Sequence, residues 1–132
     1  MIVILCIDDR GGLLFNKRRV SSDQKVCERI CALAADGVLR MNHYSALLFK
    51  SIKPEVDEDF MNQAEAGDFC FVEDQDLSQY GDKIEKWILY RWNRKYPSDF
   101  KFDFSLLNGK ELIQSSSFEG SSHSEITEEI YQ

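Results

Sequence analysis

The chain has 132 residues, 43% of them hydrophobic, with 23 acidic and 16 basic side chains and a formal charge of −7. That length fits a single domain over 1–132 and that apolar share fills its core, while the negative field repels phosphate backbones, so no nucleic-acid partner is expected. Two His, and four Cys of which the nearest pair is Cys27 and Cys31, cannot build a zinc ribbon, a C-x-x-C redox pair or a many-histidine centre, so no metal site is expected.

The run Ile2 to Ile7 is apolar and rich in β-branched residues, the pattern of a central strand covered on both faces. With no basic region before it and no small-residue cleavage site after it, it reads as a strand and not as a leader. Gly11-Gly12 predicts a turn, and a basic stretch Lys17-Arg18-Arg19 follows. Ser21 or Ser22 then caps a helix carrying Val26, Ile30 and Leu33 at helical spacing, and Gly37 stops it. Val38 to Met41 is a second strand, Asn42-His43-Tyr44-Ser45 a polar elbow, and Val56, Phe60 and Ala64 predict a short helix ending at Gly67. Phe69 to Val72 and the aromatic run Trp87 to Trp92 are further strands.

Beyond Asn93 the period changes to two, with Phe100, Phe102 and Phe104 alternating with Lys101 and Asp103. At the end, Ser122-x-x-Glu125 satisfies a capping box, yet Ile126, Glu128 and Ile130 alternate with Thr127, Glu129 and Tyr131; the alternation favours a closing antiparallel strand. No window approaches the roughly 18 apolar residues of a membrane helix, so no membrane partner is expected. The cysteines fall in strand-like and helix-like runs as free thiols do, which points to the cytoplasm.

The element order strand, loop, helix, strand, polar elbow, helix, strand, helix, long strand, hairpin resembles the dihydrofolate reductases, and local segments fall in register. The apolar strand and acidic turn of Met1 to Asp9 look like the family's opening. Arg18-Arg19-Val20-Ser21-Ser22-Asp23 stands where the family has W-x-x-P-x-[DE], keeping the acid as Asp23. Met41-Asn42-His43-Tyr44-Ser45 stands at the family's M-G-R-x-T, Val72-Glu73-Asp74 at its glycine pair, Leu89-Tyr90 at its late L-T strand, and Asp99-Phe100-Lys101-Phe102 at its D-T-x-F hairpin. The resemblance implies an α/β fold with a mixed sheet flanked by helices and a C-terminal antiparallel hairpin, about 30 residues shorter than the family's usual length.

No motif is intact, and the departures carry chemistry. A pyrophosphate is held by backbone N–H groups that only glycine lets it approach, whereas Glu73-Asp74 places two carboxylates there. Asn42-His43 in place of Gly-Arg removes a bidentate phosphate donor. No cofactor is therefore expected. The resemblance implies Asp23 as a proton relay that hydrogen-bonds the ligand; an acid at a helix start is also ordinary helix-dipole chemistry. Tyr90, in the register of the family's Thr, is a candidate catalytic partner for Asp23.

His43 and His123 lack a Ser or Cys partner at any readable motif, which gives nucleophilic catalysis no support. Gly120-Ser121-Ser122-His123-Ser124 could bind an anion through its N–H groups or could simply be a turn. The expected function is a non-reductase descendant that binds a small molecule or a protein. The alternative is an NADPH-dependent reductase of a pterin-like substrate, with Asp23 as relay and Asn42, His43 and Ser45 at the cofactor edge. A further expectation is a homo-oligomer formed through the aromatic strand Trp87 to Trp92.

Overall fold

The computed structural model describes residues 1–132 as an α/β protein built on a seven-stranded mixed sheet and a three-stranded antiparallel one. The large sheet contains β1 (Ile2–Ile7), β4 (Leu39–Met41), β5 (Glu55–Val56), β6 (Phe69–Phe71), β7 (Lys86–Arg91), β9 (Leu112–Phe118) and β10 (Ile126–Tyr131) in the order β5-β4-β6-β1-β7-β10-β9. The first five of that order run parallel. β10 returns antiparallel to β7, and β9 pairs antiparallel with β10. The closing antiparallel hairpin read from the alternation is thus present, and the capping-box helix is not. No helix is long and apolar enough to cross a membrane.

β1 lies at the centre, as its unbroken apolar run requires, and its alternate side chains feed two cores. Val3, Leu5 and Ile7 join Cys70, Val72, Trp87 and Leu89 on one face. Ile4 joins Phe71, Ile88, Tyr90, Ile126 and Ile130 on the other, where α1 (Gln24–Leu33) packs through Val26 and Ile30.

The expectation of helices on both faces is corrected in part. α1 is the only α-helix much longer than one turn; α2 (His43–Ala46) and α3 (Phe60–Gln63) have four residues each. The face opposite α1 is closed by Phe60 and Met61 of α3, by Tyr80 of a 3-10 helix (Ser78–Lys83), and by Leu13, Leu14 and Phe102. Val56 belongs to β5, paired with Met41, and Ala64 turns to extended backbone, which cuts the expected 56–64 helix to α3.

In the small sheet, β2 (Gly12–Phe15) and β3 (Arg18–Arg19) replace what read as a glycine turn and a basic stretch, while β8 (Phe100–Lys101) falls in the period-two run. Asn16 and Lys17 both take positive φ, 51° and 65°, making the two-residue hairpin loop whose twist suits antiparallel strands. The period-two run at Phe100 ends early because the Asp103 carboxylate accepts from the Ser105 N–H and opens a 3-10 turn over Phe104–Leu107.

The aromatic run forms β7, hydrogen-bonded to β1 on one edge and β10 on the other, with Trp87 and Trp92 1% and 2% exposed. It presents neither a free edge nor an exposed tryptophan. The uncharged Leu112–Phe118 of β9 is the free edge on that side of the sheet.

Candidate functional site

In open sheets with parallel strands, ligand sites gather outside the carboxyl ends of those strands. Here that end holds the start of α1, the elbow after β4, Glu73 after β6 and Trp92 after β7. Two wired clusters of buried polar groups stand there, with a cleft between them.

The first cluster is centred on Asp23. Its backbone is extended and its side chain accepts from the Lys25 N–H at 2.9 Å, so Asp23 itself is the helix cap in place of the expected Ser21 or Ser22. Its Oδ1 also accepts from the N–H and Oγ of Ser121, both at 3.0 Å. Oδ2 accepts from the N–H and Oγ of Ser122 at 2.9 and 3.2 Å, and lies 2.9 Å from His123 Nδ1.

Those donors come from the β9–β10 turn, about a hundred residues along the chain. The anion that the small-residue turn binds is the protein's own carboxylate. Gly120 permits the close approach: a side chain there would collide with the Asp23 carboxylate and come within 2.7 Å of Ile126. Burial opposes the charge of Asp23, but donation from Ser122, His123, Ser121 and Lys25 outweighs it and holds the carboxyl far below the usual carboxylate range.

An ionised carboxylate only accepts, so His123 carries its proton on Nδ1 and leaves Nε2 as an acceptor in the neutral ring. Ser21 Oγ lies 2.8 Å from that Nε2, and the Tyr96 hydroxyl lies 3.3 Å away. The Trp92 indole stacks on the imidazole, with ring centroids 4.5 Å apart and 20° between planes. Tyr96 is brought there by Asp8, a fully buried carboxylate that accepts from the N–H groups of Arg10, Gly12 and Tyr96.

Asp23 and Tyr90 belong to the same side of the sheet but do not meet. Tyr90 donates to Glu128 at 2.8 Å, and Arg29 reaches the same carboxylate at 3.2 Å. Burial, then the hydrogen bond to Glu128 and its charge, pushes the Tyr90 hydroxyl far above its ordinary range, so it stays protonated.

The second cluster is the elbow. Glu73 is 7% exposed, accepts from Arg19 Nε and Nη2 at 2.9 and 3.1 Å, and takes the Ser45 hydroxyl at 2.7 Å. Arg19 lies over the Tyr44 ring, 4.1 Å from its centroid. Asn42 caps α2 through the Ser45 N–H and donates its amide to Asp74 at 3.1 Å. The three residues proposed for a cofactor edge thus divide. Asn42 and Ser45 are buried and turned to Glu73 and Asp74, while His43 points to solvent and pairs with Glu58.

Between the clusters runs a narrow cleft of about 10 Å³ lined by Cys6, Ser21, Cys27, Phe71, Glu73 and Trp92. It adjoins a groove of about 540 Å³ between α1 and residues 48–51, walled by Cys27, Cys31, Leu48 and Phe49, with Gln24 and Lys50 among its polar residues. Burial raises the Cys6 thiol well above its ordinary value and Cys27 to about 11, so neither is a ready nucleophile at neutral pH. The Trp92 indole N–H is buried and has no acceptor in the chain. No three His, Cys, Asp or Glu side chains converge to hold a metal ion.

Sequence reasoning did not find Ser21 and His123, because their link runs through Asp23 across a hundred residues. The one legible signal was the small-residue turn ending at His123, which needed an anion to bind. No family model matches the chain, and no curated protein matches it.

Proposed function

We propose that the chain is a divergent, shortened protein of the dihydrofolate reductase-like family that binds a small molecule in the groove beside α1 and does not use a dinucleotide. The observation that carries this reading is Glu73. At the elbow where the resemblance places a glycine pair for phosphate, its carboxylate is buried, ion-paired to Arg19 and bonded to Ser45. An anionic cofactor there would have to displace the Arg19 pairing and face a second carboxylate, Asp74. The element order from β1 through the closing hairpin supports the family reading.

A small molecule is favoured over a protein partner because the groove is concave and its volume of about 540 Å³ falls in the range of small-ligand pockets. Trp92 adds a buried donor without an acceptor at the adjoining cleft. The NADPH-reductase alternative is less well supported. Both Asp23 oxygens are filled by protein donors, leaving no lone pair to hydrogen-bond a pterin.

The test is a titration of NADPH against the intrinsic fluorescence of Trp87 and Trp92. No saturable quenching up to about 1 mM is expected, a range that covers ordinary enzyme affinities. Saturable quenching in the micromolar range would restore the reductase reading.

A further inference from the structure

We propose that Ser21 is a nucleophile that takes the acyl group of a small carboxylic ester, with His123 as its base and Asp23 as the residue that positions the base. This rests on reading the groove beside α1 as a small-ligand site and adds the reaction carried out there. The Ser21 Oγ to Nε2 distance of 2.8 Å and the Nδ1 to Asp23 distance of 2.9 Å set hydroxyl, imidazole and carboxylate in the order of an acyl-transfer triad. With Nδ1–H fixed on the carboxylate, the Ser21 O–H donates into Nε2, the direction in which its proton must leave. The Tyr96 hydroxyl at 3.3 Å is too long to displace it. The face of Trp92 stacked on the ring favours the imidazolium that forms when the proton arrives.

The surroundings select the substrate class. Ser21 opens on the 10 Å³ cleft, space for about one water-sized group, so the acyl part is no larger than acetyl. The alcohol part extends into the adjoining groove, along Cys27, Leu48 and Phe49. The Ser21 and Ser22 N–H groups make no hydrogen bond within the chain, and these two neighbouring main-chain donors are assigned to the oxygen of the tetrahedral intermediate. The cysteines of the cleft, with thiols raised by burial, do not compete as nucleophiles.

Ser21 Oγ bonds to the ester carbonyl carbon as its proton passes to Nε2. The oxyanion collapses, the C–O bond to the alcohol breaks, and the alcohol leaves with that proton, giving acyl-Ser21. Water then attacks the acyl carbon with Nε2 taking its proton. The carboxylic acid departs as that proton returns to Ser21.

The test treats the full chain with methanesulfonyl fluoride, a sulfonylating probe whose alkyl part is a single methyl, and maps adducts by peptide mass; p-nitrophenyl acetate turnover is read in parallel. We expect one adduct, on Ser21, and none in Ser21→Ala or His123→Gln. Ser115→Ala, on the exposed edge strand, labels like the unaltered chain. Turnover in Ser21→Ala falls by at least about 100-fold with the near-ultraviolet circular dichroism unchanged. Asp23→Asn slows labelling by up to about 10⁴-fold and removes the Nδ1–H preference of His123 in nitrogen–proton correlation spectra, which a merely structural role for Asp23 would leave in place. An absent adduct, an adduct elsewhere, or equal labelling of Ser21→Ala overturns the proposal. The NADPH titration is independent: no adduct together with no NADPH quenching removes the nucleophile and leaves the small-ligand reading in place.

Discussion

Among the buried carboxylates at the carboxyl end of the sheet, Glu73 and Asp23 are satisfied in different ways. Glu73 meets a guanidinium and a hydroxyl, so its charge is cancelled within the elbow and the space is filled. Asp23 meets no cation other than what His123 can become; its charge is held by three main-chain N–H groups and two serine hydroxyls, with the imidazole completing the set. The first arrangement closes a site. The second fixes a histidine tautomer and leaves a nitrogen facing a serine. A buried acid marks a functional centre only when its partners leave some reactive atom over.

Substitutions separate the two. Asp23→Ala strips the α1 cap, removes the acceptor of the Ser121 and Ser122 N–H groups and leaves His123 Nδ1–H buried without one, so unfolding in urea should show a loss of about 3 kcal/mol. Glu73→Ala leaves Arg19, still partly solvated, without its partner, and a smaller loss of about 2 kcal/mol is expected in the same assay. If the elbow variant were the more damaging, the comparison would be inverted.

Gly120→Ala, which replaces neither carboxylate but sets a methyl against that of Asp23, should cost about 1–3 kcal/mol by pushing the turn off Asp23. Tyr90→Phe removes one donor from Glu128 while Arg29 stays, for about 1 kcal/mol.

Acid sharpens the same contrast. Because the folded state depresses Asp23, its stabilisation is fully present above the ordinary value of 3.8 and is lost as pH falls below it. Urea midpoints between pH 5 and pH 2 should therefore fall less steeply in Asp23→Asn than in the unaltered chain.

Much of the large sheet was legible because its strands are continuous apolar or alternating runs: Ile2–Ile7, Lys86–Arg91 and Ile126–Tyr131 carry their periodicity in the sequence. Of the small sheet only β8 was, through the alternation at Phe100. The β2–β3 hairpin depends on Asn16 and Lys17 taking positive φ, a conformation lysine gives no sign of favouring. The short helices were over-read, since spacing such as Val56, Phe60 and Ala64 cannot tell a strand end followed by one turn from a longer helix.

At the site, Glu73 was legible as a charge standing where a resemblance asked for glycine. Asp23 was legible as a helix-start acid, though not as the cap. Ser21 and His123 were opaque because tertiary folding alone brings residues 21, 23 and 123 together, and nothing local in Ser21-Ser22-Asp23 announces a histidine partner.

The wiring of His123 can be read directly. With only two histidines in the chain, long-range nitrogen–proton correlation spectra at neutral pH give each ring's tautomer without ambiguity. His123 is expected to be an Nδ1–H tautomer with a bare Nε2, and Asp23→Asn to remove this preference. A His123 ring protonated on Nε2 alone, with Nδ1 bare beside Asp23, would contradict it.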